Sequence, residues 1–218
     1  IVRLRPSERK KMQQLSFEPV RQPLRFYAVV PDADWVERMV QAGADTVQLR
    51  NKTLRGAALQ MEIERCVAVC AGTQTQLFIN DYWQQAINAG AYGVHLGQED
   101  MDDADLAAIA CAGLRLGLST HSVAELDRAL AVQPSYVASG AVFPTTTKPM
   151  PTAPQGLDNL RRYVAQAGGT PVVAIGGIDL HNAAEVLAAG AASLAVVRAV
   201  TEATDPAAAV KAFQALWD

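Results

Sequence analysis

The chain has 218 residues, half of them hydrophobic, with a formal net charge of −3. That is enough to bury roughly 70–75% of the unfolded surface in a single core, and it gives no global attraction for nucleic acid. No apolar run reaches the length of a membrane span and no leader pattern opens the chain, so a cytoplasmic protein with no membrane partner is expected.

Residues 1–23 carry Arg, Lys, Gln and Pro with little strand pattern and read as a short N-terminal extension. Residues 7–15 read as either a short helix packed on the barrel or a mobile arm, and Arg9, Lys10 and Lys11 as a solvated face. From Leu24 onward, short apolar runs alternate with helical patterns. The expected strands are 25–30, 45–50, 76–80, 92–96, 114–119, 135–140, 171–175 and 193–197. Near-continuous apolar runs suit parallel strands covered on both faces. The intervening segments are long enough for right-handed crossovers. An Ala-Gly pair closes five of them, at Gly43, Gly90, Gly113, Gly168 and Gly190, where glycine fits the left-handed position that ends a helix. Helix starts are expected after Asp179 and at Asp205-Pro206. Cys66 and Cys70, one helical turn apart, read as buried thiols, and Cys111 as a further core residue. Three cysteines make no disulfide framework and fit a reducing compartment.

Eight such units over residues 24–218 predict a single-domain (β/α)8 TIM barrel, with an open doubly wound sheet as the rival. A barrel brings every strand's C-terminal end to one mouth, where barrel enzymes place their chemistry. Strand two ends Gln48-Leu49-Arg50-Asn51-Lys52; Gln48 and Arg50 share a face by the two-residue period, and Arg50 with Lys52 points to a bound anion. Strand three ends Asn80-Asp81 and strand four runs into Asp100. Each aspartate alone could cap the next helix. As a pair at neighbouring strand ends they offer hard oxygen ligands suited to Mg²⁺, which takes one or two carboxylates and completes its shell with water and phosphate.

Strand five ends Ser119-Thr120-His121, either a phosphate or amine contact or a helix cap. Strand six runs into Thr145, Thr146, Thr147 and Lys148 between two prolines, a stiffened loop with many donors. Gly176-Gly177 after strand seven lets backbone N–H groups approach a ligand, and Val197-Arg198 ends strand eight with a positive charge. Two anion-binding regions with a metal site between them favour joining a phosphorylated substrate to one that carries a diphosphate leaving group.

This ordered set of strand ends, running from Gln48 through Lys52, Asn80-Asp81, Gly93 through Asp100, Gly117 through His121, Thr145 through Lys148 and Gly176 through Ile178, resembles the thiamine-phosphate synthase family over nearly the whole barrel. The resemblance implies coupling of 4-amino-2-methyl-5-(diphosphooxymethyl)pyrimidine with 4-methyl-5-(2-phosphooxyethyl)thiazole, giving thiamine phosphate and pyrophosphate. It implies that Gln48, Arg50, Lys52, Asn80, Ser119 and Lys148 contact the pyrimidine diphosphate, with Leu49 and Asn51 in the same substrate-binding segment. It places Mg²⁺ on Asp81 and Asp100, and the thiazole phosphate near Thr145, Thr146, Thr147, Gly177, Val197 and Arg198. Arg198 departs from the family's serine and puts the thiazole-phosphate contact in question. Because the thiazole nitrogen needs no base, His95 and His121 read as structural or orienting. The alternatives are a thiazole tautomerase, which has no use for a diphosphate-bound metal, and a non-catalytic phosphate-ligand sensor.

Overall fold

The computed structural model describes residues 15–147, 149 and 152–218. Eight parallel strands follow one another in chain order around a closed barrel. They are β1 (Phe26–Val30), β2 (Thr46–Leu49), β3 (Gln76–Asn80), β4 (Gly93–Leu96), β5 (Arg115–Thr120), β6 (Tyr136–Ser139), β7 (Val172–Ile175) and β8 (Ser193–Val196). The ring closes where β1 pairs with β8, with Phe26 opposite Leu194. Closure removes the two edges that an open sheet would have to protect, and it sets aside the doubly wound alternative.

Side chains alternate strictly along each strand. Phe26, Val30, Val47, Leu49, Leu77, Ile79, Val94, Leu96, Leu116 and Leu118 face outward into one continuous layer shared with the helices. Tyr27, Val29, Phe78, Tyr136, Ala138, Val173 and Ala195 face inward and form a second, smaller cluster. Glycine makes the inward packing possible at two points. A Cβ on Gly93 would lie 2.5 Å from Phe78 Cε1, and one on Gly117 would lie 2.1 Å from Tyr136 Cζ. Large rings thus fill space that neighbouring strands leave empty, as small barrels require.

The helix-ending glycines behave as their Ala-Gly pairs predict. Gly43, Gly90, Gly113, Gly168 and Gly190 all have positive φ. Asp205 caps the last helix, Pro206–Gln214, by accepting from Ala208 N at 3.0 Å, with proline in the first turn. Two expectations need correction. The helix after β7 begins at Ala183, because Asp179 Oδ1 closes a turn on the amides of His181 and Asn182 before the chain becomes helical. Cys111 is exposed at the end of the helix Leu106–Cys111 rather than core, since that helix buries Ile109 instead. Cys66 is buried and Cys70 half-buried, and burial pushes both thiols up.

The described part of the N-terminal extension lies across the N-terminal end of the barrel. Phe17 N donates to Gln133 O, and Ser135 Oγ donates to Glu18 O. Arg21 N donates to the Tyr92 hydroxyl, and Gln76 Nε2 donates to Gln22 O. Leu24, 2% exposed, joins the inward cluster from below. The helix expected over 7–15 and the basic residues Arg9, Lys10 and Lys11 lie outside the described residues, except for Leu15.

Candidate active site

At the C-terminal ends of the strands the barrel opens into a cavity of about 810 Å³. Its floor is polar because inward positions near the strand ends carry Gln48, Asn80, His95 and Ser119. Its rim is built by Thr145, Thr146, Thr147, Gly176, Gly177, Val197 and Arg198. Arg50 lines the wall between them and, among the described residues, has no carboxylate partner.

The alternation that brings Gln48 inward sends Leu49 outward, into the layer against the helices. Asn51 is likewise kept from the cavity by its own loop. Its amide donates to Pro31 O at 3.0 Å, and its Oδ1 accepts from the amides of Thr53 and Leu54. Leu49 and Asn51 therefore shape the segment that carries Arg50 and Lys52 and are not among the cavity's lining residues. Lys148 lies outside the described residues.

Asp81 follows the lining residue Asn80 and converges with Asp100, although Lys52, Asp81 and Asp100 are not themselves among the cavity's lining residues. Neither aspartate caps a helix: the N-cap positions of the helices Trp83–Asn88 and Gln98–Asp103 are Tyr82 and Gly97, with no side-chain cap at either. Asp81 instead adopts φ +67°, a left-handed conformation that few residues other than glycine, asparagine and aspartate enter. Its Oδ2 accepts from Lys52 Nζ at 2.6 Å. The Asp100 residue as a whole is exposed, yet its carboxyl group lies against Asp81 and the Gly97 backbone. Partial burial raises the Asp100 pKa, and the negative charge of Asp81 and a hydrogen bond shared with it add to the rise. Two carboxylates held this close favour a shared proton or a shared cation. No cluster of three or more His, Cys, Asp or Glu that could hold a metal occurs among the described residues. A cation at this pair would take two protein ligands and the rest of its shell from elsewhere, the pattern Mg²⁺ uses beside phosphates.

Ser119 faces inward rather than capping a helix. Ser122 performs that task, accepting from Glu125 N at 3.2 Å. Ser119 Oγ instead meets His95 Nε2 at 2.7 Å, and Gln98 Nε2 holds the Ser119 carbonyl at 2.7 Å. His121 pairs with Glu125 at 2.9 Å. On the rim, Arg198 donates from Nη1 to Thr146 Oγ1 and from Nε to Glu202 Oε1, both at 2.9 Å. The guanidinium thus ties the loop after β6 to the short helix Arg198–Thr201. Gly177 has φ +65°, and a Cβ there would stand 2.6 Å from Pro144 O. Only glycine lets the β7 loop pass this close to the β6 loop.

Sequence reasoning overlooked Tyr27 and Tyr136, both on the cavity wall and almost fully buried. The available signal was a hydroxyl-bearing ring at an inward position of an otherwise apolar strand.

A closed (β/α)8 barrel with a cationic wall, paired carboxylates and a glycine- and threonine-lined rim at its C-terminal mouth is the kind of barrel enzyme that handles phosphorylated small molecules. Comparison with known proteins narrows the class. The sequence model of the thiamine monophosphate synthase family matches residues 26–200. The thiamine-phosphate synthase of Neisseria meningitidis serogroup A is 77% identical over 94% of this chain and 100% of its own length. That of Klebsiella pneumoniae is 51% identical over 94% of this chain and 97% of its own. Among solved structures, the thiamine phosphate pyrophosphorylase of Pyrococcus furiosus superposes with a TM-score of 0.79 at 30% identity, covering 88% of this chain and 95% of that one. The chain belongs to the thiamine monophosphate synthase family.

Proposed function

We propose that the cavity joins the pyrimidine diphosphate to the thiazole phosphate, releasing thiamine phosphate and pyrophosphate, with Asp81 and Asp100 holding Mg²⁺ against the diphosphate. The observation that carries this reading is the convergence of two carboxylates and Lys52 on the strand ends whose Arg50 and Asn80 line the cavity. Bound there, Mg²⁺ would supply charge neutralisation for the departing pyrophosphate.

The remaining work falls to the chain's own groups. Arg50 and Lys52 bind the diphosphate and stabilise the negative charge it gains as the methylene carbon–oxygen bond breaks. The bonding pair leaves with the pyrophosphate oxygen, and the aminopyrimidine ring delocalises the cation left on carbon. The thiazole nitrogen then gives its lone pair to that carbon, so no proton moves and no base is needed. Asn80, Gln48 and Ser119 orient the pyrimidine half on the cavity floor. Thr145, Thr146, Thr147, Gly177 and the Val197-Arg198 backbone receive the thiazole phosphate at the rim. Lys148 belongs to the same proposal on the strength of the sequence alone. The unpaired thiols Cys66 and Cys70 support a reducing, cytoplasmic setting.

The test is a two-precursor incubation with and without Mg²⁺. Pyrophosphate release matched by thiamine phosphate formation, dependent on the metal, supports the reading. Isomerisation of the thiazole without coupling, or tight thiazole-phosphate binding without turnover, would replace it with the tautomerase or the sensor.

A further inference from the structure

Five side chains from five strands form an unbroken line of short hydrogen bonds under the cavity. Gln48 Nε2 donates to the Tyr27 hydroxyl at 2.9 Å. The Tyr27 and Tyr136 hydroxyls meet at 2.6 Å. Tyr136 meets His95 Nδ1 at 2.7 Å, and His95 Nε2 meets Ser119 Oγ at 2.7 Å. Tyr27 is 1% exposed and Tyr136 fully buried, braced by Phe78 at ring-centroid distances of 6.2 and 5.1 Å. The whole line sits on the cavity wall, and its two ends are residues already placed against substrate.

The hydrogens along this line can be counted. Each tyrosine has one to give, and among the described residues the hydroxyl of Tyr27 hydrogen-bonds only with Gln48 and Tyr136. Since Gln48 donates to Tyr27, the Tyr27 hydrogen must go to Tyr136, or it stays buried without an acceptor, which costs its full desolvation. Tyr136 then donates to His95 Nδ1. The imidazole carries its hydrogen on Nε2 and donates it to Ser119 Oγ. The hydrogen of Ser119 is left to point at the cavity, and the carbonyl of the Gln48 amide is left as the free end there. Turning the Gln48 amide over would reverse every bond, so the two ends cannot change independently.

We infer that Tyr27, Tyr136 and His95 form a directed chain that holds Ser119 as a donor and the Gln48 carbonyl as an acceptor toward the substrate. The chain makes Tyr27 and Tyr136 positioning residues for the coupling reaction. This inference rests on the reading above, in which Gln48 and Ser119 face the pyrimidine. The gain is electrostatic. As pyrophosphate leaves, positive charge spreads over the pyrimidine, and an amide carbonyl turned toward it stabilises the transition state more than the bound substrate. An amide N–H in its place would oppose the same charge.

The experiment combines Tyr136→Phe and Tyr27→Phe in the full chain with nitrogen-15 NMR of the His95 ring. Both variants remove a hydroxyl and keep the ring. The wild-type imidazole should show a protonated Nε2 and an unprotonated Nδ1. Each variant should lose about tenfold in kcat, with the KM for the pyrimidine diphosphate changed less than about threefold. Ser119→Ala added to Tyr136→Phe, or Gln48→Ala added to Tyr27→Phe, should cost less than the product of the separate losses. If one phenylalanine variant fails to fold, the other decides. A protonated Nδ1 in the wild type, wild-type kcat in the foldable variants, or fully multiplicative losses would overturn the chain. If Gln48→Ala and Ser119→Ala alone leave kinetics unchanged while the His95 tautomer is as expected, the substrate placement itself has failed and the inference falls with it.

Discussion

Lys52 Nζ donates to Asp81 Oδ2 at 2.6 Å across the ends of β2 and β3. The ammonium therefore occupies a carboxylate that the proposed metal would take, and it is then free to turn to the diphosphate. Lys52 is 46% exposed, so the pair itself contributes under about 1 kcal/mol and exchange is easy. Replacing Lys52 by Gln should have opposite effects on two ligands. Binding of Mg²⁺ alone should tighten by about threefold, because its competitor is gone. Binding of pyrophosphate with Mg²⁺ should weaken by about tenfold, because a cation that grips phosphate is gone. Calorimetric titration of each ligand checks both; weaker binding of Mg²⁺ alone would contradict the exchange.

The left-handed backbone at Asp81 separates charge from conformation. Asp81→Asn keeps a residue that tolerates φ +67°. It should lose Mg²⁺-dependent coupling by at least about a hundredfold with an unchanged melting temperature. Asp81→Ala should lose the same activity and also about 1 kcal/mol of stability. Asp100→Ala should match Asp81→Asn in activity, and removing its carboxylate relieves a like-charge contact. Steady-state rates across a Mg²⁺ series, with thermal melts, distinguish these patterns. Full activity at limiting Mg²⁺ in the Asp81→Asn and Asp100→Ala variants would remove the metal assignment.

Arg198 reaches Thr146 and Glu202 from the end of β8. Arg198→Ser cuts the tie between two rim loops while leaving the floor untouched. The KM for thiazole phosphate should rise by about tenfold and that for the pyrimidine diphosphate by less than about twofold. Equal effects on the two constants would show that Arg198 does not belong to the rim subsite.

Burial pushes Tyr27 and Tyr136 well above the ordinary phenol range, while the unfolded chain ionises near pH 10. Burial also pushes Tyr163 up to about 12. Folded molecules thus keep protons that unfolded ones lose. The stability these groups contribute is fully present below about pH 10 and falls as pH rises above it, by about 1.4 kcal/mol per pH unit for each tyrosine. Tyr136→Phe should remove one such increment from the alkaline slope and leave the slope below pH 9 unchanged. Urea unfolding from pH 8 to 11 measures it; identical alkaline slopes would show that Tyr136 is not held protonated.

The strands were legible because a closed parallel barrel buries both faces, which leaves apolar runs with little interruption, and because Gly43, Gly90, Gly113, Gly168 and Gly190 end helices by conformation alone. The mouth was legible because the two-residue period and the strand ends suffice to gather Gln48, Arg50, Asn80 and Ser119. What sequence did not disclose depends on contacts across the barrel. Nothing local says that Lys52 pairs with Asp81, that Arg198 bends to Thr146, or that Tyr27 touches Tyr136 109 positions away. The same period that placed Gln48 should also have turned Leu49 outward. Asn51 needed the loop geometry, since its hydrogen bonds run to Pro31, Thr53 and Leu54.

The strap formed by residues 15–24 packs across the end of the barrel opposite the cavity. There, Leu24 joins Tyr27 and Phe78 in the inward cluster and Val20 packs against it. In the proposed reading, reactants enter from the mouth, past Thr145 and Gly177 at its rim. A co-reactant seated at that proposed rim would stand between bulk water and the floor residues Gln48 and Ser119, so the depth of the cavity would favour filling from the bottom upward.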